Sequence, residues 1–460
     1  MKIHSYDFIA LRYSSKLYML HALCCNLNEM QLINRVMKKY LSSMSIRIFA
    51  FCLVCGLSSS QAQSLESVVS QNSAGIDPGF LAGDEQQIKK TGSKIDFGPF
   101  NVLALGEQSH GTSEFFQVRT SLIKMLAGKK LVTKIGLEAP MAEVGQLNNY
   151  LAGDGKDLKV ILKSFRLYGY ECDEFVELVN AVKKINEEQN QKILFFGFDM
   201  QSPFRSLENM LDYSVKNNVA ATDSLKKLIG YYQLLSDQVY EHNFSAEDFA
   251  ELNTLSDHIV GQFPAEGNRS EVLNKSIINY KQFLTLNNPG ITGWDVNKLS
   301  VVRDSLMAVN VLNETIKNDK IIILAHNAHV QKQPSIFSKS MGYFLFRKMG
   351  DSYKVLGTTT SSGFYTATNP SAGKVVNNNT VIAPDDKAFE YYFSKTRKPL
   401  FFFKTAPVVD KMKNVKLPSQ YRLLTTGFTD KQFVSGNALL DFDYILHIDV
   451  TKGNRSFYLK

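Results

Sequence analysis

The sequence predicts an α/β fold: a mostly parallel sheet flanked by helices, with a large helical insertion. Three observations carry this. Short apolar runs rich in Val, Ile, Leu and Phe recur along the chain. Longer helix-patterned stretches separate them. Residues from about 204 to 315 hold only long, charged, helix-patterned segments and no obvious strand. Runs this short and this uniformly apolar suit strands buried on both faces. Helices between them imply crossovers, and crossovers imply parallel neighbours. Of the 460 residues 44% are hydrophobic, enough to build a sizeable core.

The chain opens on a segment apart. From Met44, "MSIRIFAFCLVCGLSSSQAQS" has a charged start, an apolar middle from Ile48 to Leu57, and a small-x-small end at Ser60-Gln61-Ala62. That is the order of a secretory signal, and its apolar middle is too short to span a bilayer. Residues 44–62 are therefore expected to be a signal peptide, with export to the periplasm or medium. Residues 1–43 are expected to be a non-native or disordered extension, and 63–460 the folded α/β domain. Cys24, Cys25, Cys52 and Cys55 fall in the first 55 residues, which leaves Cys172 alone and the body without an internal disulfide. Cys52-x-x-Cys55 has redox or zinc spacing, but a buried apolar helix accounts for it better.

The net charge of +8 is also concentrated there. Residues 1–62 contribute +5, so the body carries only +3 and has no long basic run. Nucleic acid is not an expected partner. No later run qualifies as a transmembrane helix, so no stable membrane insertion is expected once the signal is removed.

The strands follow in order: Val102–Leu105, Val132–Leu137, Ile193–Phe198, Ile321–Leu324, Val355–Thr359 and Tyr444–Ile448. The insertion separates the third from the fourth, with Pro264, Gly267, Pro289 and Gly290 marking its turns. Four strands end in polar groups. The first runs into Glu107-Gln108-Ser109-His110, and Arg119 lies on the helix that should follow. The second ends at Glu138, the third at Asp199 and Gln201, and the fourth at His326, Asn327 and His329. Ligands of open parallel sheets bind beyond the carboxyl ends of the strands. All four groups therefore converge on one crevice.

Each residue also has a plainer role. Glu107 suits a helix N-terminus and His110 a turn. Asp199 suits a strand-end cap. Glu138 ends an apolar strand, where a lone carboxylate is costly and needs a partner. His326 and His329 are spaced as neighbours on a helical turn. Glu114, a turn beyond His110, reads as a structural acid. Together the crevice suits either a His–Glu pair acting as general base on water or a divalent metal held by His110, His326, His329 and Glu138. A third class is a non-catalytic ligand- or haem-binding module. No G-x-S-x-G elbow, P-loop or G-x-G-x-x-G is present, which argues against a serine triad or nucleotide chemistry.

At these residues the chain resembles the erythromycin esterase family. The likeness rests on "LGEQSHGTSEFFQVRTSLIKML", "IGLEAP", "GYECDEFVELVNAVKKINEE", "FFGFDMQ", "RDSLMAVN", "ILAHNAHV" and "FDYILHIDVT", from about residue 95 to 455. The resemblance implies an esterase that uses water to open macrolide lactones, with an ester or lactone as its small-molecule partner and no cofactor. It implies His110 as the base, with Glu107 and Glu138 tuning it. His326 would polarise the carbonyl or stabilise the oxyanion, and His329 would support it. Arg119 would hold the acids or the substrate. Asp199, and Glu174 in the segment after the second strand, would be supporting residues. Glu390 and Arg422 also fall in plausible family positions.

Overall fold

The computed structural model describes residues 64–234, 245–293, 295–315, 319–334, 339–425 and 427–459. The expected leader, the segment before it and their four cysteines lie outside these. Cys172 is buried and free.

The strands are β1 (Ser73–Gly75), β2 (Val102–Glu107), β3 (Lys134–Pro140), β4 (Leu194–Asp199), β5 (Ile321–His326), β6 (Tyr353–Asn369), β7 (Lys374–Thr380), β8 (Leu400–Lys404), β9 (Gln420–Arg422), β10 (Phe433–Ser435) and β11 (Tyr444–Thr451). The main sheet runs β1-β8-β11-β6-β2-β5-β3-β4, with β7 paired to β6. From β11 to β4 every neighbouring pair is parallel. These are the six strands that the apolar runs predict. The strands not predicted are antiparallel additions: β8 and β1 at one edge, and β7 as the return arm of a hairpin. β9 and β10 form a separate small ribbon.

Both faces of the parallel strands are covered, which explains their unbroken apolar character. Leu103, Leu105, Ile322 and Leu324 point to one face and pack with the helices Ser113–Gly128 and Asp173–Glu188. Val102, Ala104, Ile321 and Ile323 point to the other, where Met307, Ala308 and Val311 of the helix Val296–Glu314 meet them.

The helical insertion divides in two. Phe204, Leu207, Leu228, Tyr232, Ile277, Tyr280 and Phe283 build a separate core from the helices between 204 and 286. The following long helix, Val296–Glu314, instead lies on the sheet. Asp295 starts it by accepting from the amides of Asn297 and Lys298, at 2.8 and 2.9 Å. No strand occurs among the described residues of 204–315.

The order of strands in the sheet places β5 between β2 and β3. Glu107 of β2 sits in register with His326 of β5. The strand ends carrying Glu107, His326, Glu138 and Asp199 therefore stand side by side in the order β2, β5, β3, β4.

Candidate active site

β2 delivers Glu107 at its last residue, and the loop that follows folds His110 back onto it. His110 Nδ1 lies 2.8 Å from Glu107 Oε1. The other carboxylate oxygen accepts from Arg119 Nη1 of the next helix. Arg119 Nη2 also donates to the carbonyls of Leu105 and Ala325, at 2.9 and 2.8 Å, and so ties the acid to the ends of β2 and β5. A guanidinium only donates, so Glu107 accepts from both sides and His110 donates through Nδ1. His110 Nε2 has no hydrogen-bond partner among the described residues. The His110 side chain keeps 23% of its exposure, against 4% for Glu107. The imidazole is thus open to a cavity of about 800 Å³, while the carboxylate behind it is sealed off.

Gly111 permits this loop. A Cβ there would come within 1.8 Å of the Thr366 carbonyl oxygen of β6. The glycine carbonyl in turn accepts from the Thr366 and Asn454 amides, both at 2.9 Å. From the other side, the 3₁₀ turn Tyr168–Tyr170 lies over the imidazole. A Cβ on Gly169 would stand 3.2 Å from His110 Cβ and 3.5 Å from Nδ1. Tyr170 lines the cavity and packs on Phe175 with ring centroids 4.8 Å apart, and its hydroxyl forms no hydrogen bond among the described residues. Burial keeps its phenol protonated well beyond the usual range.

His326 stacks obliquely beside His110, with ring centroids 4.9 Å apart. Its Nε2 lies 3.1 Å from the Gln108 carbonyl and 3.0 Å from that of Leu424. Both are acceptors, so Nε2 carries the hydrogen. Nδ1 accepts from the Ala328 amide at 3.3 Å. Burial, reinforced by the neighbouring His110, lowers its pKa to about 3, so the ring is neutral. Both nitrogens are engaged with main chain, and the ring braces the loops around the cavity mouth.

Glu138 does not bond to His110. Oε2 accepts from the His326 amide at 2.9 Å, and Oε1 accepts from Arg303 Nη2 at 3.0 Å. Its burial alone would favour the neutral acid. The charges of His329 and Arg303 outweigh that and hold the carboxyl well below the usual range. Arg303 also grips Asp199, with Nη2 2.6 Å from Oδ2 and Nε 3.2 Å from Oδ1. The Asp199 side chain additionally accepts from the Met200 amide at 2.8 Å, but it does not cap a helix as expected, since the next one starts at Phe204 with Pro203 before it. His329 Nδ1 lies 2.9 Å from Asp304 Oδ1, and Nε2 lies 3.3 Å from Glu138 Oε1. Burial would depress the His329 pKa, but the carboxylates of Asp304 and Glu138 raise it to about 9.

The cavity thus brings together His110, Glu138, His326 and His329, with Gln201 also in its wall. Glu107, Arg119 and Asp199 stand one layer behind. Glu174 is not among the lining residues. It is buried under the start of its helix, where it accepts from Ser113 Oγ at 2.8 Å and from the Arg455 amide. Glu390 and Arg422 form another buried cluster, with the Arg422 amide 2.9 Å from Glu390 Oε1. They too lie off the cavity wall. Glu114 accepts from the Lys452 amide at 2.9 Å, a structural role.

Sequence reasoning missed Arg303, which neutralises the ends of both β3 and β4. A signal was present. Two acids ending neighbouring buried strands require a cation, and "RDSL" is a charged break on a helix otherwise facing the sheet.

The erythromycin esterase family model matches residues 132–451, most of the chain. The chain belongs to the erythromycin esterase family. Membership makes it a hydrolase with a small-molecule substrate. Erythromycin esterase type II of Escherichia coli is 26% identical over 351 residues, covering 67% of this chain and 82% of that protein. Type I, also of Escherichia coli, is 23% identical over 286 residues, covering 53% and 68% respectively. The fold is shared with a crystal structure of a succinoglycan biosynthesis protein, with a TM-score of 0.70 at 19% identity over 85% of this chain and 98% of that one. It is also shared with a mutant erythromycin esterase in its open conformation, with a TM-score of 0.61 at 19% identity over 84% and 100%. No helix among the described residues is long and apolar enough to cross a membrane.

Proposed function

We propose that this hydrolase cleaves a carboxylic ester or lactone with a water molecule activated by His110. One observation carries the reading. Nδ1 of His110 is tied to Glu107, and Nε2, at the cavity wall, has no hydrogen-bond partner among the described residues. In the reaction, Nε2 takes a proton as the water oxygen attacks the carbonyl carbon. Glu107 stabilises the imidazolium that forms, and Arg119 holds Glu107 in place. When the tetrahedral intermediate collapses, the C–O bond of the ester breaks. The imidazolium then returns its proton to the leaving oxygen. The phenol of Tyr170 is the donor proposed for the developing oxyanion. His326, whose hydrogen is held by two carbonyls, acts as a brace rather than as that donor.

The same geometry disfavours the metal-dependent reading. Of its four candidate ligands, His326 has both nitrogens on main chain. His329 lies between Asp304 and Glu138, and Glu138 is already matched by Arg303. The test is turnover on a panel of esters and lactones. His110→Ala should lose about 10²–10⁴-fold in kcat with an unchanged circular dichroism spectrum. Wild-type turnover should survive exhaustive chelation. Near-full activity in the mutant, or loss on chelation restored by a divalent ion, would overturn the assignment.

A further inference from the structure

Outside the catalytic cluster, the charged side chains lining the cavity have one sign. They are Arg166, Lys339 and Lys431. All three are exposed, and none of their side chains forms a salt bridge or hydrogen bond among the described residues. The two acids in the wall do not offset them. Glu138 and Asp304 are buried and already matched by Arg303 and His329. General basicity does not account for the cluster either, since residues 63–460 carry a net charge of only +3.

Arg166 is held rather than loose. Its backbone takes the left-handed conformation at φ 54°, unusual for a residue with a side chain. Its guanidinium carbon stands 3.8 Å from the ring centroid of Phe204, the first residue of the insertion. Stacking of this kind orients a guanidinium while leaving its edge free to pair. Arg166 also immediately precedes the turn that covers His110, so its place relative to the base is set by a short stretch of chain. A cleft lined by one sign of charge concentrates ligands of the other.

We infer that the substrate is an ester bearing a carboxylate, which Arg166, Lys339 and Lys431 receive while the ester carbonyl lies at His110. This rests on the esterase reading above. A lactone with a protonated amine, such as erythromycin, has the wrong charge for this rim.

The test compares three p-nitrophenyl esters of similar size: the butyrate, the hemisuccinate and a cationic betaine ester. At low salt kcat/KM for the hemisuccinate should exceed that for the butyrate by about tenfold, as expected for a few exposed charge pairs acting together. The advantage should shrink as salt is added. In R166Q/K339Q/K431Q the ratio should fall towards one, and R166Q alone should reduce it if the triple variant melts lower than wild type. A preference for the neutral or cationic ester, or an unchanged ratio in both variants, would overturn the inference.

If no ester is cleaved, the esterase reading fails by itself, and if His110→Ala cleaves them as well as wild type, the assignment of His110 fails by itself. Calorimetry then decides the rim separately, with succinic monoamide against butyramide. Tighter binding of the anionic amide that is lost in the variants sustains the inference. Equal binding of the two amides overturns it.

Discussion

Tyr170 and His329 show how single side chains at this site divide their work. The Tyr170 ring is fixed by Phe175 and Phe165, while its hydroxyl has no hydrogen-bond partner among the described residues. Removing that hydroxyl leaves the packing intact and removes one donor. Tyr170→Phe should lower kcat by about 10²-fold, in the range of a lost oxyanion donor, with little change in melting temperature. A mutant with unchanged kcat would remove Tyr170 from the mechanism. His329 contributes through charge instead. Its folded pKa of about 9 lies above the ordinary value of 6.5. The stability it contributes is therefore fully present below pH 6.5 and lost as pH rises through about 9. The melting-temperature gap between wild type and His329→Gln should be widest near pH 6 and nearly closed by pH 10. A gap that widens with pH would contradict the ion-pair assignment. Arg303 is the residue that makes both partnerships possible, since without it Glu138 and Asp199 would be two buried carboxylates in contact with the same site.

At the scale of elements, the site depends on where strands stop. β2, β5 and β4 each end on a polar residue, β3 carries Glu138 two residues before its end at Pro140, and the loops after them begin within the crevice. Gly111 is the most constrained point of these loops. A methyl group there meets the main chain of β6, which cannot swing away as a flexible side chain would. Gly111→Ala should cost about 1–3 kcal/mol or more and should also abolish turnover, because the displaced loop carries His110. Denaturant unfolding and ester turnover on the same preparation check both. An alanine variant with wild-type activity would mean that the loop yields more easily than the backbone contact implies. This scale also explains which strands could be read in advance. The six parallel strands are buried on both faces, so their apolar runs are continuous. β7, "KVVNNNT", is mostly exposed and polar, and belongs to a hairpin arm. β8, "LFFFK", is as apolar as any predicted strand, but its antiparallel place at the edge depends on β11, distant in sequence.

At the scale of the whole molecule, the insertion is tied to the sheet through a buried polar link. Ser202 Oγ donates to Glu143 Oε1 at 2.7 Å, and Asn279 Nδ2 of the insertion donates to the Ser202 carbonyl at 2.8 Å. The Met141 amide completes the link by donating to Asn279 Oδ1 at 3.1 Å. Burial pushes the Glu143 pKa up from 4.5 to about 7. The carboxyl is accommodated in its neutral form, so the stability it contributes is present below pH 4.5 and lost as pH rises to about 7. Glu143→Gln, which keeps a neutral polar group there, should gain on wild type by up to about 3 kcal/mol between pH 4.5 and 8. Equal stability of the two at both ends of that range would show that Glu143 is matched by a charge after all.

The side chains available at each strand end and the α/β class are both legible without coordinates. Both follow from local pattern: apolar runs buried on two faces, polar residues where each run stops, and a long helical stretch between two of them. Glu107, His110 and Arg119 lie within thirteen residues of one another, so one strand, loop and helix turn suffices to join them. Long-range contacts, by contrast, set which acid lies against which imidazole. Strand order sets β5 between β2 and β3, so Glu138 meets Arg303 and His329 rather than His110, and His326 is saturated by the carbonyls of Gln108 and Leu424. Those contacts join residues up to 218 positions apart. Periodicity carries no trace of such pairings, because it records which face a residue occupies and not which distant segment comes to lie against it.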